Sequence, residues 1–228
     1  MSRPPGPVET YPWPEELRGH IVTPGSNPEM HGYRVEGDLA RHYRFPDVVL
    51  LALTGELPSQ QQSAAFDTAL IFLSPLSVAE APTHATALAQ ICGSRSGAVL
   101  EVGAVALAER ARWIVGRAAP LLRWLASPDT PIDPALVSTN DEDRDAVTRL
   151  QTALAERNVR IDTLAQPLSR QSALLATLWF AGLRRPEQLE AALVIASLPS
   201  VTAEAHFHGV ASFREYPMQL PPFEYVDR

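Results

Sequence analysis

The chain has 228 residues, of which 46% are hydrophobic and 20% charged, and its formal net charge is -7. That length suits one large domain or two modest ones, and the acidic balance argues against a nucleic-acid surface, which wants clustered cations. All 19 basic residues other than histidine are arginine, which excludes a P-loop lysine, a Schiff-base lysine and a Ser-Lys pair.

Residues 1–28 are rich in proline and poor in apolar periodicity, so they are predicted to form an extended N-terminal arm ahead of a helical domain over 29–228. "GDLARHY" (37–43) gives a short helical signal with Asp38 placed to cap it. Pro46 then suits a first helical turn, "DVVLLAL" supplies an apolar body, and Gly55 stands where a helix ends. Ser59 is placed to cap the next helix, "QQQSAAFDTALIFLS", with Ala65, Phe66, Leu70 and Leu73 on one face. An apolar-periodic run over roughly 83–125 is interrupted by "GSRSG" (93–97), which predicts two helices. Within it Cys92, the single cysteine, reads as a small buried apolar residue; it allows no intrachain disulfide. Arg110, Arg112, Arg117 and Arg123 read as a solvated helix surface.

Residues 126–145 combine three prolines with an acidic run and read as a linker. Helices are expected over 141–158 and 170–183, and "RPEQLEAALVIASLPSVTAEAHFHGVASFREY" gives one or two more before an extended tail, "PMQLPPFEYVDR". No alternation is long enough to require a sheet, so the fold class is all-α. The N-terminus has no apolar signal-peptide core and "ALLATLWFAGL" is too short to span a bilayer, so a cytoplasmic location without membrane contact is expected.

Several segments, in order, carry a resemblance. Gly32-Tyr33, Asp38-Leu39-Ala40, Phe45-Pro46-Asp47-Val48 and Leu51-Ala52-Leu53-Thr54-Gly55-Glu56-Leu57-Pro58 keep a characteristic spacing. "PTHATALAQICGS" (82–94), "ALLATLWFAGLRRPEQLEAALVIASLPSVTAEAHFHGVA" and the terminal "PPFEYV" continue it. Together they resemble the citrate synthase superfamily, including its shorter citryl-CoA-lyase-like members, across about two thirds of the chain. The resemblance implies a multi-helical large domain with a reduced or missing small domain, and a CoA thioester or a dicarboxylate as ligand with no resident cofactor or metal.

The chemistry it implies begins by enolising an acetyl thioester, which needs a positioned carboxylate base and a donor for the enolate oxygen. Aligned on these segments, the family's His-Gly-Gly slot falls at Ala111-Arg112-Trp113 and its aspartate slot at Gln171. A methyl group donates no hydrogen bond, and a carboxamide is no base near neutral pH. No histidine occurs from Ala85 to Ala205, so a shifted register does not restore the missing pair. His206, His208 and His84 remain as candidate substrate-binding groups. His206 and His208 are two apart, a spacing that converges on a strand but diverges on a helix. Glu101 and Asp162 are carboxylates without an identifiable partner.

Three readings follow. The first is a non-catalytic subunit or regulatory partner, forming a homodimer or a heteromer with a complete citrate-synthase-like subunit. Its contacts would run through the small-residue helix 97–108 and the apolar helix 173–183, by the same resemblance. The second is an active acyl-CoA condensing enzyme or citryl-CoA-type lyase with a rearranged site, its base drawn from His84, Glu101, His206 or His208. The third is a binding protein that keeps a CoA or dicarboxylate pocket without chemistry.

Overall fold

A computed structural model of the chain describes Glu16, residues 18–127 and residues 130–208. Most of the proline-rich arm and the whole of the tail expected to be extended lie outside these residues. The chain divides into two compact units, Met1–Leu57 and Pro58–Arg228.

In the first unit three two-residue strands, β1 (Val22–Thr23), β2 (Glu29–Met30) and β3 (Tyr33–Arg34), form an antiparallel sheet in the order β1-β2-β3. They are too short for alternation to reveal them. The β2–β3 turn is the pair His31-Gly32, with φ of 48° and 82°, and positive φ at both central residues matches the twist of the flanking strands. A π-helical turn, Val35–Leu39, follows. Asp38, expected to cap a helix over 37–43, lies inside this turn instead, whose N-cap is Arg34; its carboxylate accepts the Arg34 backbone N–H at 3.0 Å and the Arg34 guanidinium at 3.3 Å. Helix α1 (Phe45–Thr54) has Pro46 in its first turn and buries Leu50 and Leu51. It ends as expected at Gly55, whose φ of 83° a side chain would resist and whose N–H reaches the Leu51 carbonyl at 2.8 Å.

The second unit is helical: α2 (Gln60–Leu73), α3 (Ala81–Ile91), α4 (Ser96–Arg117), α5 (Ala119–Ala126), α6 (Asp141–Glu156), α7 (Arg170–Phe180) and α8 (Pro186–Phe207). Ser59 and Gln62 close a reciprocal capping box at the start of α2, with Gln62 N–H to Ser59 Oγ at 3.2 Å and Ser59 N–H to Gln62 Oε1 at 2.9 Å. The apolar run over 83–125 yields three helices rather than two, because the chain breaks again at Ala118 and Pro120 opens α5. Cys92 is exposed at the end of α3 rather than buried, since the "GSRSG" break releases the chain into solvent there.

Helices α3, α4 and α8 pack on one another, while α2 joins them to α6 and α7. Gly103 permits the first of these packings. A Cβ there would come within 3.1 Å of Thr86 Oγ1 on α3 and 3.5 Å of Val201 Cγ1 on α8. Between α5 and α6 the chain makes a 3₁₀ turn, Pro134–Leu136, and then pairs with the segment ahead of α7 through a Val137–Leu168 bridge and a Ser138 N–H to Pro167 carbonyl bond of 2.7 Å. That pairing brings the N-termini of α6 and α7 together. The apolar helix 173–183 is buried inside this unit from Ala173 to Leu178, whereas α4 leaves Leu100, Val102 and Val105 exposed. Among the described residues no helix is long and apolar enough to cross a membrane.

Candidate functional site

The second unit holds a cleft of about 370 Å³ where the end of α2, the residues entering α3, one face of α4 and the start of α7 meet. A volume of that size lies within the range of small-molecule sites, roughly 300–1,000 Å³. Its apolar side is built from Leu76, Ile114, Leu174, Leu175 and Leu193. Its polar side holds two arginines, two carboxylates, Ser169 and Gln171.

Each charged group has a local reason for its position. Glu80 precedes α3 and receives Arg110 of α4, with Nη2 to Oε2 at 2.7 Å. Asp143 is in the first turn of α6, where the helix dipole favours a carboxylate. It accepts the Ser138 hydroxyl at 2.6 Å and the backbone N–H of Arg170, the first residue of α7, at 2.9 Å. The Ser138 hydroxyl, the Arg170 amide and the Arg170 positive charge together hold its carboxyl below the usual range, against a smaller opposing effect of desolvation. The Arg170 guanidinium donates to the Phe72 carbonyl at 3.0 Å, which fixes it at the end of α2.

Of the residues singled out in the sequence, Gln171 lines this cleft as the second residue of α7. Ala111 does not. It is 1% exposed on the packed face of α4, although its neighbours Arg110 and Ile114 reach the cleft. Residues 111–113 continue the helix without a turn, and Trp113 is 60% exposed with the Arg117 guanidinium 4.9 Å from its ring centre. His84 is exposed near the start of α3. His206 and His208 are exposed at the end of α8, where helical geometry separates them and His208 Nε2 lies 3.2 Å from Glu204. Glu101 is exposed on α4, and Asp162 is paired at the surface with Arg160 at 3.3 Å. Among the described residues no group of three or more His, Cys, Asp or Glu is arranged to hold a metal ion.

The sequence reading did not single out Glu80, Asp143 or Arg170, and it assigned Arg110 to a solvated surface. Arg110 is instead paired, with its side chain only 33% exposed. The Glu80–Arg110 pair spans 30 residues and the Asp143–Arg170 contact spans 27, so no local spacing reports either.

The arrangement of helices is that of a known class: the citrate-synthase-like fold of citryl-CoA lyases and ATP citrate lyases. Citryl-CoA lyase from Hydrogenobacter thermophilus superposes with a TM-score of 0.67 at 15% identity, over 93% of this chain and 96% of that one. The ATP citrate lyase of Methanosaeta concilii (a D541A mutant in complex with (3S)-citryl-CoA) gives 0.60 at 12% identity, and that of Methanothrix soehngenii, in complex with citrate and coenzyme A, gives 0.60 at 11%. This chain spans 44% of the length of each ATP citrate lyase. No family model matches the chain, and no curated protein matches it. The likeness to the solved structures is one of fold.

Proposed function

We propose that this chain is a non-catalytic protein of the citryl-CoA-lyase fold, acting in the cytoplasm as a subunit or regulatory partner of a complete homologue. One observation carries the reading: the acids of the cleft are already engaged and, among the described residues, no histidine lines it. Enolising a thioester methyl requires a carboxylate free to take a proton and a donor aimed at the developing oxyanion. Glu80 is held by Arg110, and Asp143 is held by a hydroxyl and an amide that make it a weaker base. Gln171, which the sequence resemblance sets in the slot of a carboxylate, lines the cleft with an amide instead. The exposed Leu100, Val102 and Val105 on α4 support a contact surface for the partner.

The test is an assay of the purified chain for citryl-CoA cleavage and citrate formation, together with sedimentation alone and with a full-length homologue. We expect no turnover and a stable association. Robust turnover by the chain alone, or a monodisperse monomer that ignores the homologue, would overturn the proposal.

A second reading, an active citryl-CoA-type lyase with a rearranged site, is favoured by the match over 96% of the length of a citryl-CoA lyase. Glu80 is then the base, since breaking one ion pair frees it. Turnover abolished by Glu80→Gln would establish this reading over the first.

A further inference from the structure

The charges in the cleft do not suit a polycarboxylate. Arg110 is neutralised at 2.7 Å by Glu80, and Asp143 faces the same space. Among the described residues Arg170 is the lining cation that forms no salt bridge, its guanidinium being tied to a neutral carbonyl at 3.0 Å. An arginine has five N–H donors and spends one here, so its fork can still receive an anionic head group. Beyond the charged groups the lining mixes Ser169 and Gln171 with apolar side chains that include Leu76, Ile114, Leu174, Leu175 and Leu193. A ligand with three carboxylates would place two of them against those side chains or against Glu80 and Asp143, with no free lining cation among the described residues to pair them.

We infer that the cleft binds an amphiphilic monocarboxylate, a medium-chain fatty acid or similar acyl anion, with its carboxylate on Arg170 and its apolar body along α4, α7 and α8. This rests on the reading that the cleft binds without reacting. The apolar part of the lining supplies the affinity through burial of methylenes, and Arg170 supplies the orientation. Citrate, small and charged all round, gains from neither.

Calorimetric titration of the full chain with octanoate, octan-1-ol and citrate tests the assignment. Octanoate should bind, octan-1-ol about tenfold more weakly for want of the charged hydrogen bond, and citrate should neither bind nor displace octanoate. Arg170→Gln keeps the backbone N–H that Asp143 accepts, so the fold should be retained by circular dichroism while octanoate affinity falls about tenfold. Arg170→Lys should recover part of it. Leu76→Asp, on the apolar wall, should abolish binding independently. Tighter binding of citrate than octanoate, absence of octanoate binding, or an octanoate affinity indifferent to both Arg170→Gln and Leu76→Asp would each refute the inference. Turnover of citryl-CoA would sink the non-catalytic reading by a separate measurement, so the two failures are distinguishable.

Discussion

Asp143 joins two helix starts that are far apart in sequence, and its removal should be felt at both. The carboxylate accepts Ser138 Oγ at 2.6 Å and the first N–H of α7 at 2.9 Å, while standing in the first turn of α6. A hydrogen bond to an ionised acceptor contributes about 1.5–3 kcal/mol net, and a carboxylate in a first helical turn about 0.3–1 kcal/mol more. Because the group is only half-buried, the low end applies, and Asp143→Ala should cost about 2–3 kcal/mol. The folded-state pKa is depressed, so this stability is fully present above the unfolded value near 3.9 and is lost as pH falls through the folded value. Urea unfolding of both proteins between about pH 7 and pH 3 measures it. The wild type should lose stability more steeply than Asp143→Ala as the pH drops below about 4, so that the gap narrows. A gap under about 0.5 kcal/mol at neutral pH, or one that stays constant with pH, would show that the carboxylate is not the connection we describe.

Other substitutions probe the helical core. Gly103→Ala presses a methyl to 3.1 Å from Thr86 Oγ1 but gains about 1 kcal/mol of helix propensity, so chemical denaturation should find it near neutral. Gly103→Leu has no such compensation, and the same measurement should show a loss of more than about 2 kcal/mol as α3 and α8 are forced off α4. Phe66, fully buried on α2, should cost about 3–5 kcal/mol when cut to alanine. Ala111→His places an imidazole at a position 1% exposed; it should lower stability by about 1–3 kcal/mol and give no citryl-CoA cleavage in a thioester assay.

Much of the helical order was readable because local chemistry dictates it. Ser59 as a cap, Pro46 in a first turn, Gly55 at a helix end and the "GSRSG" break each act within a few residues, and each appears where the spacing placed it. Tertiary packing decided the rest. Pro199 removes a donor from the middle of α8, yet the helix continues past it. Ser197 donates to the Leu73 carbonyl at 2.9 Å and Ser200 to the Ser74 carbonyl, fastening the helix on both sides of the proline. The sheet escaped notice because strands of two residues carry no period. The cleft was the least legible part: Gln171 was singled out by resemblance, but the ion pair and the cap that surround it join residues 30 and 27 apart. Only the fold makes those groups neighbours.

The position of Ala111 bears on how the cleft came to be arranged this way. Gly103, Leu107, Ala111 and Ile114 follow one another at helical spacing along the buried face of α4. At Gly103 the packing is tight enough that a single added methyl would touch both α3 and α8. The helix runs unbroken from Ser96 to Arg117, and while Arg110 and Ile114 reach the cleft from it, Ala111 is turned onto the face that packs into the core. An imidazole at 111 would therefore have to displace core rather than enter the cleft. Trp113 is equally ill-suited to a glycine's role, since its ring stands outward beneath Arg117. On the non-catalytic reading proposed above, the path of α4 as well as the side chain at 111 keeps this position out of the cleft. Ala111→His and Gln171→Asp together should still give no turnover, and measurable citryl-CoA cleavage by that double variant would mean that the helix is not the obstacle.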